Sequence, residues 1–239
     1  MKKIIVPILT IFLLSKSFGQ YNKQVFAKWS PGSLAAGKIT VGGEYNFKKK
    51  NSFELFIGLP SGMNHRFNYD SNTSNLRSKA FSVLAGYRFY FGKKKASGLY
   101  LEPYAKYLHQ QFNGILKGQL NGETATFDTR SDYKGFGLGA QLGVQFLIAK
   151  RFILDLFILG PEANSASFTS SATDIASNIP WTMIQASEAE NDIKNALKNI
   201  PIVGDKVEVS VNQADKTVNT RYNGFLPGAR FGASVGIRL

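Results

Sequence analysis

The sequence of 239 residues lacks cysteine altogether, which excludes disulfide scaffolds, thiol nucleophiles and thiolate metal sites. It contains only two histidines, His65 and His109, so zinc binding and histidine general-base chemistry have little material. After residue 14 it also has no apolar run long enough for a membrane-spanning helix. These absences remove several classes of enzyme and metalloprotein, and we expect no metal and no cofactor.

One apolar run lies at the start of the chain, over residues 4–14, directly after Lys2 and Lys3. Residues 15–19 follow it, with the small residues Ser17 and Gly19 at the positions that a signal peptidase reads. We therefore expect a signal peptide over residues 1–19 and a mature chain over 20–239. An N-terminal membrane anchor is the alternative, but the run is shorter than the ~20 residues of a spanning helix.

The formal net charge is +13, which raises the question of an acidic partner. Basic residues cluster at 48–50, 93–95 and 150–151, each time in a short gap between apolar segments. Basic turns beside a bilayer can contact anionic lipid head groups, and solvated turn residues are the plain alternative. We expect outer-membrane lipids as neighbours of this chain, and no nucleic acid.

The segment 131–148 is the most informative part of the sequence. Its even positions are apolar from Phe136 to Ile148, whereas its odd positions are mostly glycine and glutamine. Successive side chains of a strand point to opposite faces, so this strand has one apolar face and one small, polar face. Glycine weakens a strand in a soluble sandwich, but a small membrane barrel accommodates this pattern, with lipid outside and a crowded polar lumen inside.

The same alternation recurs and predicts eight strands in all, separated by gaps of alternating length. Short turns, longer external loops and an even number of strands are typical of an outer-membrane barrel with both termini in the periplasm. A soluble β-barrel such as a lipocalin is the competing fold. The predicted strands cover 23–30, 35–47, 52–59, 79–91, 99–112, 131–148, 152–160 and 229–239.

The predicted fold class is therefore all-β: an eight-stranded antiparallel transmembrane β-barrel with a long final external loop over residues 161–223. Within this loop, apolar residues at helical spacing after Pro180 predict an amphipathic helix over 180–200. Alternating valines from Val207, followed by Val218 and Tyr222, predict a hairpin. Such a loop is a candidate for binding a protein partner or capping the barrel mouth, and variable decoration is the third possibility.

On this pattern the chain resembles the small eight-stranded outer-membrane barrels of Gram-negative bacteria, typified by the OmpA membrane domain and OmpX. The segments 33–47, 98–107 and 135–155 also resemble an uncharacterised branch of outer-membrane proteins. The resemblance implies a location in the outer membrane and a structural or porin-like role.

Charged residues at lumen-facing positions are the candidate site residues. The lumen of an eight-stranded barrel is just wide enough for side chains to fill it, and charges held there must be paired. A salt-bridge ladder that plugs the lumen is the structural interpretation, and a narrow gated pore is the alternative. The predicted network comprises Lys38, Glu44, Glu54, Arg88, Glu102, Lys106, Asp155, Arg230 and Arg238.

A lipid-modifying enzyme is the third functional class considered. His109 lies on the predicted outward face near an outer strand end, where a serine–histidine–acid site would sit, but Gln110 and Gln111 follow it and no serine is two residues away. His65 lies in a predicted loop. We therefore assign no catalytic residue and expect a non-enzymatic structural or surface-interaction protein.

Overall fold

The computed structural model describes residues 23–69, 72–120, 123–176, 179–198 and 204–239. Eight antiparallel strands form a closed ring, because the first strand pairs with the second and also with the last. The predicted eight-stranded antiparallel β-barrel is thereby confirmed. The predicted signal peptide, residues 1–19, lies outside the described residues.

The strands are numbered in chain order, and β4 and β9 lie outside the ring. Their bounds are β1 Gln24–Ser30, β2 Lys38–Lys48, β3 Asn51–Pro60, β4 Met63–Tyr69, β5 Asn72–Tyr90, β6 Gly98–Leu120, β7 Glu123–Ile148, β8 Phe152–Asp174, β9 Val207–Asn212 and β10 Thr217–Arg238. A 3-10 helix, Pro31–Ala36, joins β1 to β2.

The two faces of the ring are chemically opposite. Large apolar side chains are exposed on its outer face, and most of the inward-facing polar side chains of its lower half are buried. The period-two alternation of the sequence produces both faces at once, since each strand contributes every second residue to each. The apolar outer belt includes Trp29, Val41, Tyr45, Phe53, Leu55, Ile57, Phe89, Leu99, Phe136, Leu138, Leu142 and Phe146.

The strands continue well beyond this belt on one side. Of the predicted loop 161–223, residues 161–174 continue β8 and residues 217–223 continue β10, so the loop is shorter than the sequence suggests. These parts are mostly polar on both faces, with Phe168, Val218 and Tyr222 as their large apolar residues. They nevertheless form strands because their backbones pair across β7, β8 and β10. β1 and β2 are much shorter than β6, β7, β8 and β10. The long part of the barrel formed by β6, β7, β8 and β10 is called the tall wall below.

The final loop contains the helix and the hairpin that the sequence predicts. Helix α1 spans Met183–Lys198, and β9 pairs with β10 from Val207↔Tyr222 to Asn212↔Thr217. Ala189 of the helix and Trp181, which lies two residues before it, form a buried apolar cluster with Val218 of β10. No helix among the described residues is long and apolar enough to span a membrane.

Glycines of the lumen wall make room for aromatic rings from the opposite residues. A Cβ atom built on Gly143 would lie 2.3 Å from the hydroxyl oxygen of Tyr100, and one on Gly139 would lie 2.6 Å from that of Tyr104. β7 therefore has no side chain at the positions where the tyrosine rings of β6 lie against it. This explains the glycine face of residues 131–148 by steric need.

Strand β8 carries a one-residue bulge. Against β7, Leu142 pairs with Leu159 while the next residue, Gly143, pairs with Phe157. Ile158 and Leu159 consequently both face outward, and the inward alternation resumes at Gly160. The bulge shifts the register so that Asp155 and Glu162 both reach the lumen.

Candidate functional site

The lower lumen holds a fully buried charge cluster centred on Arg88 of β5. Its guanidinium contacts Glu54 at 2.6 Å, Glu102 at 2.6 Å and Asp155 at 2.8 Å. Each acid comes from a different strand, so Arg88 ties β3, β6 and β8 together through the barrel centre. The fork geometry of arginine suits this role, because its donors point in several fixed directions within one plane.

Lys28 of β1 is the second cation of this cluster. Its Nζ atom lies 2.6 Å from Glu44, 2.8 Å from Glu54 and 3.1 Å from Asp155. It also donates a hydrogen bond of 2.7 Å to the side-chain oxygen of Gln145. β1 is the strand that pairs with β10 and so closes the ring. The ion pairs of Lys28 therefore connect this strand to β2, β3 and β8.

Neutral side chains donate further hydrogen bonds to the acids. The hydroxyl of Tyr90 donates to Glu44 at 2.6 Å, and that of Tyr100 donates to Asp155 at 2.7 Å. Gln141 donates to Glu102 at 2.9 Å. Buried charges persist in a protein only when paired and hydrogen-bonded, and this cluster meets that condition at nearly every oxygen.

A second charge cluster, in the upper lumen, has the opposite balance. Its cations are Lys38, Lys106 and Arg230, and its acid is Glu162, which accepts hydrogen bonds from Lys106 at 2.6 Å and from Tyr104 at 3.0 Å. The lower cluster has two cations and four carboxylates. In formal charges the upper excess of two positive groups therefore offsets the lower excess of two negative groups.

Arg230 joins the two clusters. It lies with its guanidinium carbon 4.2 Å from the ring centroid of Phe157 and 5.4 Å from that of Tyr104. It donates to the side-chain oxygen of Gln141, whose amide in turn donates to Glu102. Polar contacts thus connect the upper cluster to the lower cluster through Arg230 and Gln141. Phe56, Leu84 and Tyr104 form a buried apolar cluster in the same lumen.

The bottom of the barrel is closed by the turn between β5 and β6. Ala96 of this turn is fully buried against Phe26 and Ile153. Its carbonyl oxygen accepts a hydrogen bond of 3.0 Å from Gln145. Together with the two charge clusters and the apolar cluster, this turn fills the lumen from the short-turn end to the level of Lys106.

The structure brings most of the predicted lumen residues together. Glu44, Glu54, Arg88, Glu102 and Asp155 meet in the lower cluster, and Lys38, Lys106 and Arg230 line the upper one. Arg238 is half-buried near the lower end and makes no salt bridge within the described part of the chain. Eight of the nine therefore belong to a shared network.

Two residues of the network were missed from the sequence. Lys28 alternates with Val25, Ala27 and Trp29, so its inward direction could have been inferred from the same pattern. Glu162 lies just beyond the β8 bulge, in what the sequence presented as loop, and no local signal marks it as lumenal.

The outer face of the tall wall forms a polar groove above the apolar belt. It has a volume of about 610 Å³ and crosses β6, β7, β8, β10 and β9. Its lining side chains are almost entirely hydroxyl, amide, arginine and carboxylate groups. They belong to Gln111, Asn113, Arg130, Ser131, Asp132, Thr169, Ser170, Ser171, Glu208, Ser210, Asn219, Thr220 and Arg221.

His109 lies at the edge of this groove, paired with an acid. Its Nε2 atom is 2.7 Å from Asp132, which also accepts a hydrogen bond of 3.1 Å from Gln111. Partial burial alone would raise the pKa of Asp132, but the hydrogen bonds with His109 and Gln111 outweigh it and hold that pKa below its usual value. A serine–histidine–acid triad also requires a serine beside the histidine, and His109 has no hydrogen-bonded serine in the described structure.

The described residues contain no group of three or more histidine, aspartate or glutamate side chains arranged to hold a metal. His65 pairs with Leu76 in the outer hairpin of β4 and β5, far along the strand from the lumen clusters. The charged and polar side chains that the structure brings together are those of the lumen clusters and of the outer groove.

Comparison with known proteins gives one family and one solved structure. The model of a family described as "Protein of unknown function (DUF3575)" matches residues 8–160. The crystal structure of CarO from Acinetobacter baumannii matches with 11% sequence identity and a TM-score of 0.42, covering 90% of this chain and 96% of that one. No curated protein matches.

Proposed function

The chain belongs to the DUF3575 family of proteins of unknown function, and we propose that it is a closed β-barrel of the outer membrane with a structural or surface-interaction role. One observation supports the proposal above the others: the ring is apolar outside and filled by paired charges inside. A soluble barrel buries its apolar residues inward, whereas a membrane barrel exposes them to lipid.

The orientation proposed here follows from the strand extensions and extra elements, which lie at one end of the barrel. The turns after β2, β5 and β7 are short, and the opposite ends carry the tall wall, α1 and β9. Outer-membrane barrels place short turns in the periplasm and long extensions outside the cell. The basic turns 48–50, 93–95 and 150–151 would then contact the inner lipid leaflet, and both ends of the mature chain would be periplasmic.

The architecture proposed is that of the OmpA membrane domain and OmpX, in which the barrel interior is filled by side chains. We assign no catalytic role. The external elements 175–216, which hold α1 and β9, are proposed as the part that binds a protein partner, because strand ends and loops on a rigid scaffold commonly carry binding residues.

The proposal predicts that the barrel does not conduct. Ions would have to pass the buried side chains of Phe56, Leu84 and Tyr104 and the salt bridges of Arg88. Purified mature protein reconstituted in planar bilayers is therefore expected to give no steady current. An open porin treated in parallel controls for successful insertion.

A steady open channel would contradict the filled lumen and would favour the gated pore instead. In that event, substitution of Arg230 by methionine should alter the current, because Arg230 bridges the two lumen clusters. An insertion-competent protein without current supports the closed barrel.

A further inference from the structure

The outward face of the tall wall changes character at a row of aromatic side chains. Tyr107 on β6 is the register partner of Phe136 on β7, and Phe136 and Phe225 on β10 both pair with Ser165 on β8. All three aromatic rings are exposed. Aromatic side chains at one level of a membrane barrel mark the boundary between hydrocarbon and head groups.

Above this row the outward side chains are polar on four adjacent strands. The next three outward residues of β7 above Phe136 are Lys134, Asp132 and Arg130, whereas the outward residues below Phe136 are apolar. Arg130 lies six residues from Phe136, which is roughly 20 Å along the strand and about 15 Å above the aromatic row for a strand tilted by ~40°. The groove therefore lies at the depth of lipid head groups and not of the acyl chains.

The chemistry of the groove suits a phosphorylated sugar. Arg130 and Arg221 are both exposed, and arginine binds phosphate oxygens through two parallel N–H donors. Gln111, Asn113, Thr169 and Ser171 add amide and hydroxyl groups, which exchange hydrogen bonds with sugar hydroxyls. Glu208 provides a further acceptor for hydroxyl donors.

The same features disfavour a protein partner at this place. Protein interfaces depend on buried aromatic or large apolar anchors, and the lining of the groove contains none. Among the described residues, Arg130 makes an ion pair only with Asp128, at 3.6 Å and exposed, while Asp132 is occupied by His109 and Gln111. Exposed pairs of this kind contribute little and exchange readily for another anion.

We propose that this groove binds the phosphorylated head-group sugars of the glycolipid in the outer leaflet, lipopolysaccharide, with Arg130 and Arg221 on the phosphates. The inference rests on the proposed location in the outer membrane. It adds a lipid-specific site on the side of the barrel, separate from the lumen network and from α1.

The test compares the double variant Arg130→Ala/Arg221→Ala with the wild-type protein in detergent micelles. Purified lipopolysaccharide with a phosphorylated core is titrated against each, next to the same material after dephosphorylation. Lys93→Ala/Lys94→Ala is the matched control, since it removes two exposed positive charges from the opposite end of the barrel. Heat-modifiable gel migration verifies that each variant is folded.

The double variant is expected to bind phosphorylated lipopolysaccharide at least about tenfold more weakly than the wild type, because the loss of one charge-assisted hydrogen bond changes the affinity by that factor. The control variant is expected to retain wild-type affinity. Equal affinity of the double variant and the wild type would overturn the proposal, as would equal binding of dephosphorylated material by the wild type. Fractionation of cell membranes measures separately whether the wild-type protein is in the outer membrane. Absence of the wild-type protein from the outer membrane would instead refute the proposed location.

Discussion

Substitution of Arg88 by methionine is expected to be the most destabilising single change in the barrel. It leaves Glu54, Glu102 and Asp155 buried with only Lys28 as a cation. Removal of one partner of a buried ion pair costs about 3–5 kcal/mol, because the remaining charge is uncompensated. The measurement is the free energy of unfolding in urea, with the protein in lipid vesicles and folding followed by gel migration without boiling.

Arg238→Met provides the matched control for this variant. It also removes an inward-facing arginine side chain at the lower end of the lumen, but Arg238 makes no salt bridge with any described residue. We expect a loss below about 1 kcal/mol for it. The double variant Arg88→Met/Glu102→Gln should recover part of the lost stability, since it removes one unpaired carboxylate. Equal loss in Arg88→Met and Arg238→Met would contradict the central role of Arg88.

Substitution of Leu142 by arginine is expected to have the second largest effect. Leu142 lies outward in the middle of the apolar face that runs from Phe136 to Ile148 on β7. An arginine on the lipid face costs roughly 2–4 kcal/mol at the bilayer midplane and about 0–1 kcal/mol near its surfaces. The same unfolding assay in vesicles measures this cost.

Ser167→Arg on β8 is the corresponding control near the membrane surface. Its register partners are Lys134 and Asn223, one level above the aromatic row. The expected loss is about 1 kcal/mol or less. If Leu142→Arg were as stable as Ser167→Arg, the apolar belt would not be in contact with lipid.

The ring and most of its lumen could be predicted because they depend on a single repeated property. Each spanning strand has to be apolar outward and small or polar inward, so the alternation is present in every segment. Glu44, Glu54, Arg88 and Glu102 were placed in the lumen by this property alone. Their partners were not, since cross-barrel contacts depend on the register of each pair of strands.

The tall wall could not be predicted for the opposite reason. Outside the membrane neither face of a strand needs to be apolar, so residues 161–174 look like loop, and residues 217–222 were predicted only as one arm of a short hairpin within that loop. Their strand structure comes from backbone pairing with neighbours that are already strands. The same uncertainty hid Glu162, which lies beyond a bulge whose extra residue no local pattern reveals.

The central claim is that the apolar face of the barrel lies in the bilayer of the outer membrane. Because the chain contains no cysteine, single cysteines can be introduced to test this claim directly. Single cysteines at Leu138, Leu142 and Phe146, and at Thr169 above the aromatic row, would carry a nitroxide label in isolated outer-membrane vesicles. Power saturation by oxygen and by a water-soluble nickel complex then reports the surroundings of each label. The account predicts access by oxygen and not by nickel at the first three positions and the reverse at Thr169, while access by nickel at all four would contradict it.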